Sequence, residues 1–115
     1  MPSTTGYSRG DIVLVSFPFT DLSSSTRRPA LVISPDGFND QGPDVVLVAM
    51  TSQTSASSAI ALRPDDFIDG ELPKDSFVKV AKIFTMHSTL VLKRLCALRP
   101  EKLEDVLREL RGFFS

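Results

Sequence analysis

The sequence predicts a mainly β fold with peripheral α structure: a small, strongly bent sheet or barrel followed by one C-terminal amphipathic helix. Three observations lead there. Short runs rich in Val, Ile, Leu and Phe recur as far as Leu98, each bounded by Pro, Gly, Asp or Ser. No helices of about ten residues alternate with these runs, which argues against a doubly wound α/β architecture. Beyond Pro100 the apolar spacing changes to three and four, the period of a helix face.

Each element follows from local chemistry. Asp11 to Phe17 is an apolar, β-branched strand that Pro18 ends or distorts. Thr20 to Thr26 is a polar, Ser-rich loop. Ala30 to Ser34 reads as the second strand, and Pro35-Asp36-Gly37 as a turn, with Asn39 to Pro43 continuing an irregular connection. Val45 to Thr51 is a third strand whose unbroken apolar run predicts burial on both faces. Ser52 to Ser58 is a second Ser/Thr-rich loop before a short strand at Ala59 to Leu62.

Arg63-Pro64-Asp65-Asp66 predicts a turn or short helical segment, and Gly70 to Pro73 a break. Ser76 to Phe84 alternates as a strand does, while Thr89 to Leu98 fits a strand or a helix. In the last segment Leu103, Val106, Leu107, Leu110 and Phe113 or Phe114 line one face, for packing on the sheet or in a dimer interface. Pro100 suits its first turn. Glu101 and Glu104 lie near its positive end, Arg108 and Arg111 near its negative end.

At 115 residues the chain is expected to be one domain, 1–115, burying roughly two-thirds of its unfolded surface. No apolar run approaches the roughly 18 residues of a membrane span, and Met1 to Gly10 lacks a signal-peptide layout. A single cysteine, Cys96, excludes an internal disulfide; a cytoplasmic location is expected, with Cys96 as a buried small hydrophobe. A net charge of −1 argues against bulk attraction to nucleic acid. The distribution is uneven, however. Between Pro35 and Leu72 Arg63 is the only cation, whereas from Pro73 to Arg99 six Lys and Arg residues face only Asp75.

One His and one Cys exclude two-histidine RNA cleavage and leave no metal-ligand cluster beyond the acidic turn Asp65, Asp66 and Asp69, which reads as a solvated turn. No Gly-rich phosphate loop is present. His87 falls in a turn, Thr85 to Ser88. What remains is a site of Arg, Thr, Ser, Gln and Lys. In Arg27-Arg28-Pro29, the proline stiffens the junction that carries Arg28. A guanidinium presents a fork of donors matched to phosphate oxygens. Thr51 and Ser52 add hydroxyls and Gln53 an amide at the end of another apolar run. This inventory suits binding a phosphodiester or stabilising its pentacoordinate transition state. The competing reading pairs Arg28 with a local carboxylate such as Asp11 and makes Thr51-Ser52 a strand end.

The order of these motifs resembles the MazF/PemK family of bacterial toxin–antitoxin endoribonucleases. The matching segments are Arg9 to Val15, Arg27 to Ser34 and Val46 to Gln53, followed by the weaker Leu72 to Ser76, Lys82 to Thr85 and the C-terminal helix. The resemblance implies a compact SH3-like β-barrel, a homodimer, and a cytoplasmic type II toxin that cleaves single-stranded mRNA without metal or cofactor until a cognate antitoxin blocks it. It implies catalytic roles for Arg28 and Thr51 and places Gln53 near the substrate. Ser52, Arg27, Lys79 and Lys82 are further candidates for holding the RNA, and Phe19 for stacking on a base or for a core role. The loop Asp21 to Thr26 departs from the family's usual Gly-Ser-Glu-Gln, so no cleavage motif carries over. The same fold also serves gyrase-poisoning toxins and non-catalytic binding modules, the two alternative functions.

Overall fold

The computed structural model describes residues 6–17, 26–52, 59–72 and 75–115. Seven strands run through them: β1 (Asp11–Phe17), β2 (Thr26–Val32), β3 (Asp44–Thr51), β4 (Ala59–Leu62), β5 (Phe67–Ile68), β6 (Ser76–His87) and β7 (Val91–Leu98). They form one sheet in the order β4-β6-β3-β2-β1-β7-β5, with every neighbouring pair antiparallel. The sheet curls into a half-barrel, the bent architecture expected from short strands with frequent turns. Two helices accompany it, α1 (Asp36–Gln41) and α2 (Pro100–Phe113). Neither is long and apolar enough to cross a membrane.

Strand alternation divides the core in two. Ile12, Leu31, Val48, Met50, Val78, Val80 and Cys96 build a cluster on the first face, under Val106, Leu107 and Leu110 of α2. Val13, Val15, Ala30, Val32, Val45, Leu47 and Val91 build a second cluster on the other face. β3 contributes to both, as its continuous apolar run predicts. On α2 the buried stripe ends at Leu110. The helix therefore packs on the sheet, while Phe113 and Phe114 lie in the open, 49% and 72% exposed.

Three departures from the sequence reading have tertiary causes. The Pro35-Asp36-Gly37 turn opens a six-residue helix. Asn39, wholly buried, anchors it by donating to the carbonyls of Tyr7 and Ser34, both at 3.2 Å, while accepting from the Ser34 hydroxyl. β2 begins at Thr26 instead of Ala30, because β1 pairs with it from Thr26 to Leu31. Its ladder to β3 reaches only Ala30, next to the donor-less Pro29. Finally, two-residue β5 is held by Leu98 and Ala97 of β7, a pairing with no local signature. The same partners, β1 and β5, make Val91 to Leu98 a strand and not a helix.

Cys96 is fully buried on β7, and burial pushes its thiol pKa up. The native protein is therefore expected to resist a thiol reagent at pH 8 and to react at once in denaturant, read by absorbance of the released chromophore. Comparable native and denatured rates would contradict the packing.

Candidate functional site

Arg28 lies within β2, opposite Val15 of β1. From β2 to β3 the partners step as Val32↔Leu47, Leu31↔Val48 and Ala30↔Ala49. Continued by two residues, that register brings Arg28 opposite Thr51, the last residue of β3. Cross-strand partners share a face, and Val15 and Ala30 mark this one as the second face. Along that extension the cation beside the proline and the hydroxyl at the end of a separate strand fall on one face of the sheet. On its far side Thr51 pairs with Phe77 of β6, completing a row Val15, Arg28, Thr51, Phe77.

Arg28 is exposed and, among the described residues, has no carboxylate partner. The competing pairing with Asp11 does not form. Asp11 instead accepts from Arg94 Nε at 3.0 Å and from the Ser8 backbone N–H at 2.9 Å. Arg94 reaches Asp69 as well, at 3.4 Å. The hydrogen bond to Asp11 raises the Arg94 pKa, so this cation is committed to holding β1 and β7 together. Thr51 is only 8% exposed and forms the floor beside Arg28.

The other predicted residues separate. Arg27, one residue along β2 and opposite Ser16, projects from the opposite face to Arg28. Lys79 and Lys82 are brought closer. The β3–β6 register jumps from Val48↔Ile83 to Met50↔Val78, so residues 79–82 face Ala49 alone in a bulge. Alternation counted from Phe77 at one end and Phe84 at the other puts both lysines on the second face, Lys79 half-buried and Lys82 exposed. Ser52 is exposed immediately beyond Thr51. Phe19 and Gln53 lie outside the described residues.

His87 is excluded from this row by distance. It pairs with Asp44, at the opposite end of β3 from Thr51, seven residues or about 23 Å along the strand. Its Nδ1 accepts from the Thr89 backbone N–H, and Thr85 to His87, expected as a turn, are instead the end of β6, held there by pairing with β3. A groove of about 890 Å³ lies on the first face between Ile60, Val80 and α2. Its rim mixes Lys102 and Arg108 with Asp105 and Glu109, so it offers no net field for an anion.

A permanent cation, a hydroxyl at the end of a neighbouring strand and two lysines on one face are groups whose chemistry matches the oxygens of a phosphodiester. Phe77 was the residue that the sequence concealed. Alternation puts it on a strand, but only the register shows that it stands beside Thr51.

The sequence matches, over residues 8–114, the family model described as PemK-like, MazF-like toxin of type II toxin-antitoxin system. Comparison with curated proteins finds no significant match. Among solved structures the fold is similar to a MazE–MazF complex from Deinococcus radiodurans, with a TM-score of 0.74 and 20% identity over 94% of this chain and 95% of that one. It is also similar to an endoribonuclease in complex with its cognate antitoxin from a mycobacterial species, with a TM-score of 0.72 and 20% identity over 92% of this chain and 90% of that one. The Mycobacterium tuberculosis toxin MazF-mt6 aligns with a TM-score of 0.67 and 16% identity, over 89% of this chain and 92% of that one. At these identities the likeness is one of fold.

Proposed function

Since this chain belongs to the PemK-like, MazF-like toxin family of type II toxin–antitoxin systems, we propose that it is a metal-independent endoribonuclease that cleaves single-stranded RNA at short sequence motifs. The observation that supports this reading is the β2–β3 register, which, extended two residues past Ala30↔Ala49, leads from Arg28 to Thr51. The ribose 2′-OH attacks the adjacent phosphorus, the bond to the 5′-oxygen breaks, and a 2′,3′-cyclic phosphate and a 5′-OH result. The 2′-OH gives up its proton and the departing 5′-oxygen gains one. Arg28 grips nonbridging oxygens and offsets the charge that grows on the phosphorane. Thr51 donates a hydrogen bond from below. A guanidinium accepts no proton, so its contribution is electrostatic. One such donor supplies about 2.7–4 kcal/mol of transition-state stabilisation.

The solved relatives that carry a cognate antitoxin support the same kind of partner here, an acidic segment laid over the cations of the second face. We read the chain as one domain, 1–115, working as a homodimer in the bacterial cytoplasm. Exposed Leu90, Leu92, Phe113 and Phe114 supply apolar surface for the second copy. Light scattering on the purified protein should return twice the mass of the chain.

The deciding assay incubates the protein with unstructured RNA in excess chelator. Fragments ending in cyclic phosphate are expected. Intact RNA would overturn the ribonuclease reading and leave the binding-module or gyrase-poisoning alternative, the latter scored by DNA cleavage complexes with gyrase.

A further inference from the structure

We infer that Phe77, flanked by Lys79, forms a base-binding subsite for the unpaired nucleobase next to the scissile phosphate. The inference rests on the ribonuclease reading for its substrate, but its geometry stands on separate observations. Phe77 pairs with Thr51 on one side and with Ala61 of β4 on the other. Directly opposed Cβ atoms lie about 4.5–5.5 Å apart, so the ring springs from beside the Thr51 hydroxyl. Arg28 stands two strand spacings away, about 10 Å, within reach of a single nucleotide.

Phe77 is also unlike the other partly buried phenylalanines in strands. Phe67 packs on the first core cluster and Phe84 on the second. Half-buried Phe77, among the described residues, packs on neither cluster. Its outer neighbour Ala61 is exposed and has only a methyl group to cover it. A large ring outside both described core clusters, paired with a small neighbour, suits the role of a platform. Every base has a π-face that such a ring accepts, so the contact supplies affinity with little regard to base identity.

The cations complete the subsite. Lys79 follows two residues after Phe77, on the same face of the strand, and Lys82 emerges from the same bulge. An aromatic platform beside a cation is the arrangement with which proteins hold single strands, the ring taking the base and the lysine the flanking phosphate. Base-paired RNA hides its faces in the stack and would not use it. The ligand is therefore an unpaired base, and Phe77 is a positioning residue for cleavage, not a participant in the bond-breaking step.

The test separates this subsite from the activity. A fluorescein-labelled, random-sequence 2′-O-methyl RNA 12-mer lacks the attacking hydroxyl, so its binding is read by anisotropy without turnover. Phe77→Leu, which keeps apolar volume but removes the ring, is expected to weaken binding roughly 5- to 100-fold, with Phe77→Trp restoring it. On cleavable RNA the Leu variant should raise KM and leave kcat near the wild-type value. Irradiation of the wild-type protein with a 5-iodouridine-substituted 12-mer should crosslink to Phe77, located by peptide mass; this readout needs no variant to fold.

Wild-type binding by Phe77→Leu, or crosslinks that avoid Phe77, would overturn the subsite even while cleavage proceeds. Binding and crosslinking at Phe77 without any cleavage would sink the ribonuclease reading and keep the subsite. A wild-type protein that neither binds nor cleaves would overturn both.

Discussion

Replacing Arg28 with alanine should lower kcat on single-stranded RNA by 10²–10³ or more while leaving the fold intact. The two halves of this expectation have different sources. Arg28 is exposed on β2 and makes no ion pair among the described residues, so truncating it removes no folded-state contact of consequence. Exposed substitutions of that kind usually shift stability by no more than about 0.5 kcal/mol. The loss of rate instead reflects a cation missing where the phosphorane develops charge.

Arg28→Lys is expected to fall between the two, because lysine keeps the charge but loses the planar fork that meets two oxygens at once. Initial rates over a range of RNA concentrations, with circular dichroism of each variant, measure both halves. Cleavage by Arg28→Ala at the wild-type rate would remove Arg28 from the mechanism. A large fall in melting temperature would mark it as structural.

The largest effect on stability is expected from Gly70→Ala. Gly70 has φ of +144°, a conformation that side chains rarely adopt. An added Cβ would stand 2.4 Å from the Leu95 carbonyl oxygen and 3.1 Å from Cys96 Cβ. The preceding Asp69, at φ 60°, already turns the chain away from β7 just after Ile68 pairs with Ala97. This corner positions Asp69 to meet Arg94, which in turn holds Asp11 of β1.

Backbone strain of about 1–3 kcal/mol and overpacking of about 1–3 kcal/mol add to a loss of roughly 2–6 kcal/mol. That is a large part of the 5–15 kcal/mol typical of a domain, and it predicts a melting temperature lower by on the order of 10 °C or more. Thermal unfolding followed by circular dichroism tests this. A shift below about 2 °C would show that the corner yields without cost. Since the corner lies on β5 and β7, the folded fraction should still cleave RNA at the wild-type rate, the reverse of the Arg28→Ala outcome.

Much of this architecture was legible locally. β4 is readable up to the turn at Arg63-Pro64, because proline ends a ladder by its own covalent chemistry. The buried stripe of α2 was readable up to Leu110 because helix period is a local property. α1 was not readable, since Asn39 is held by the carbonyl of Tyr7, 32 residues away in the chain. Two-residue β5 exists only through its partner in β7. The β6 bulge is a mismatch between two strands and is written in neither one alone.

The candidate site divides along the same line. Residue types alone supplied its candidate groups, a permanent cation stiffened by a proline and a hydroxyl ending an apolar run, with one histidine too few for two-histidine cleavage. Only tertiary structure decided that Arg28, Thr51 and Phe77 share one row while Arg27 turns away. Side chains alternate with a period of two, so slipping any one of these pairings by a single residue would send the partners to opposite faces. Alternation is local, but register is settled by burial on both faces of the sheet.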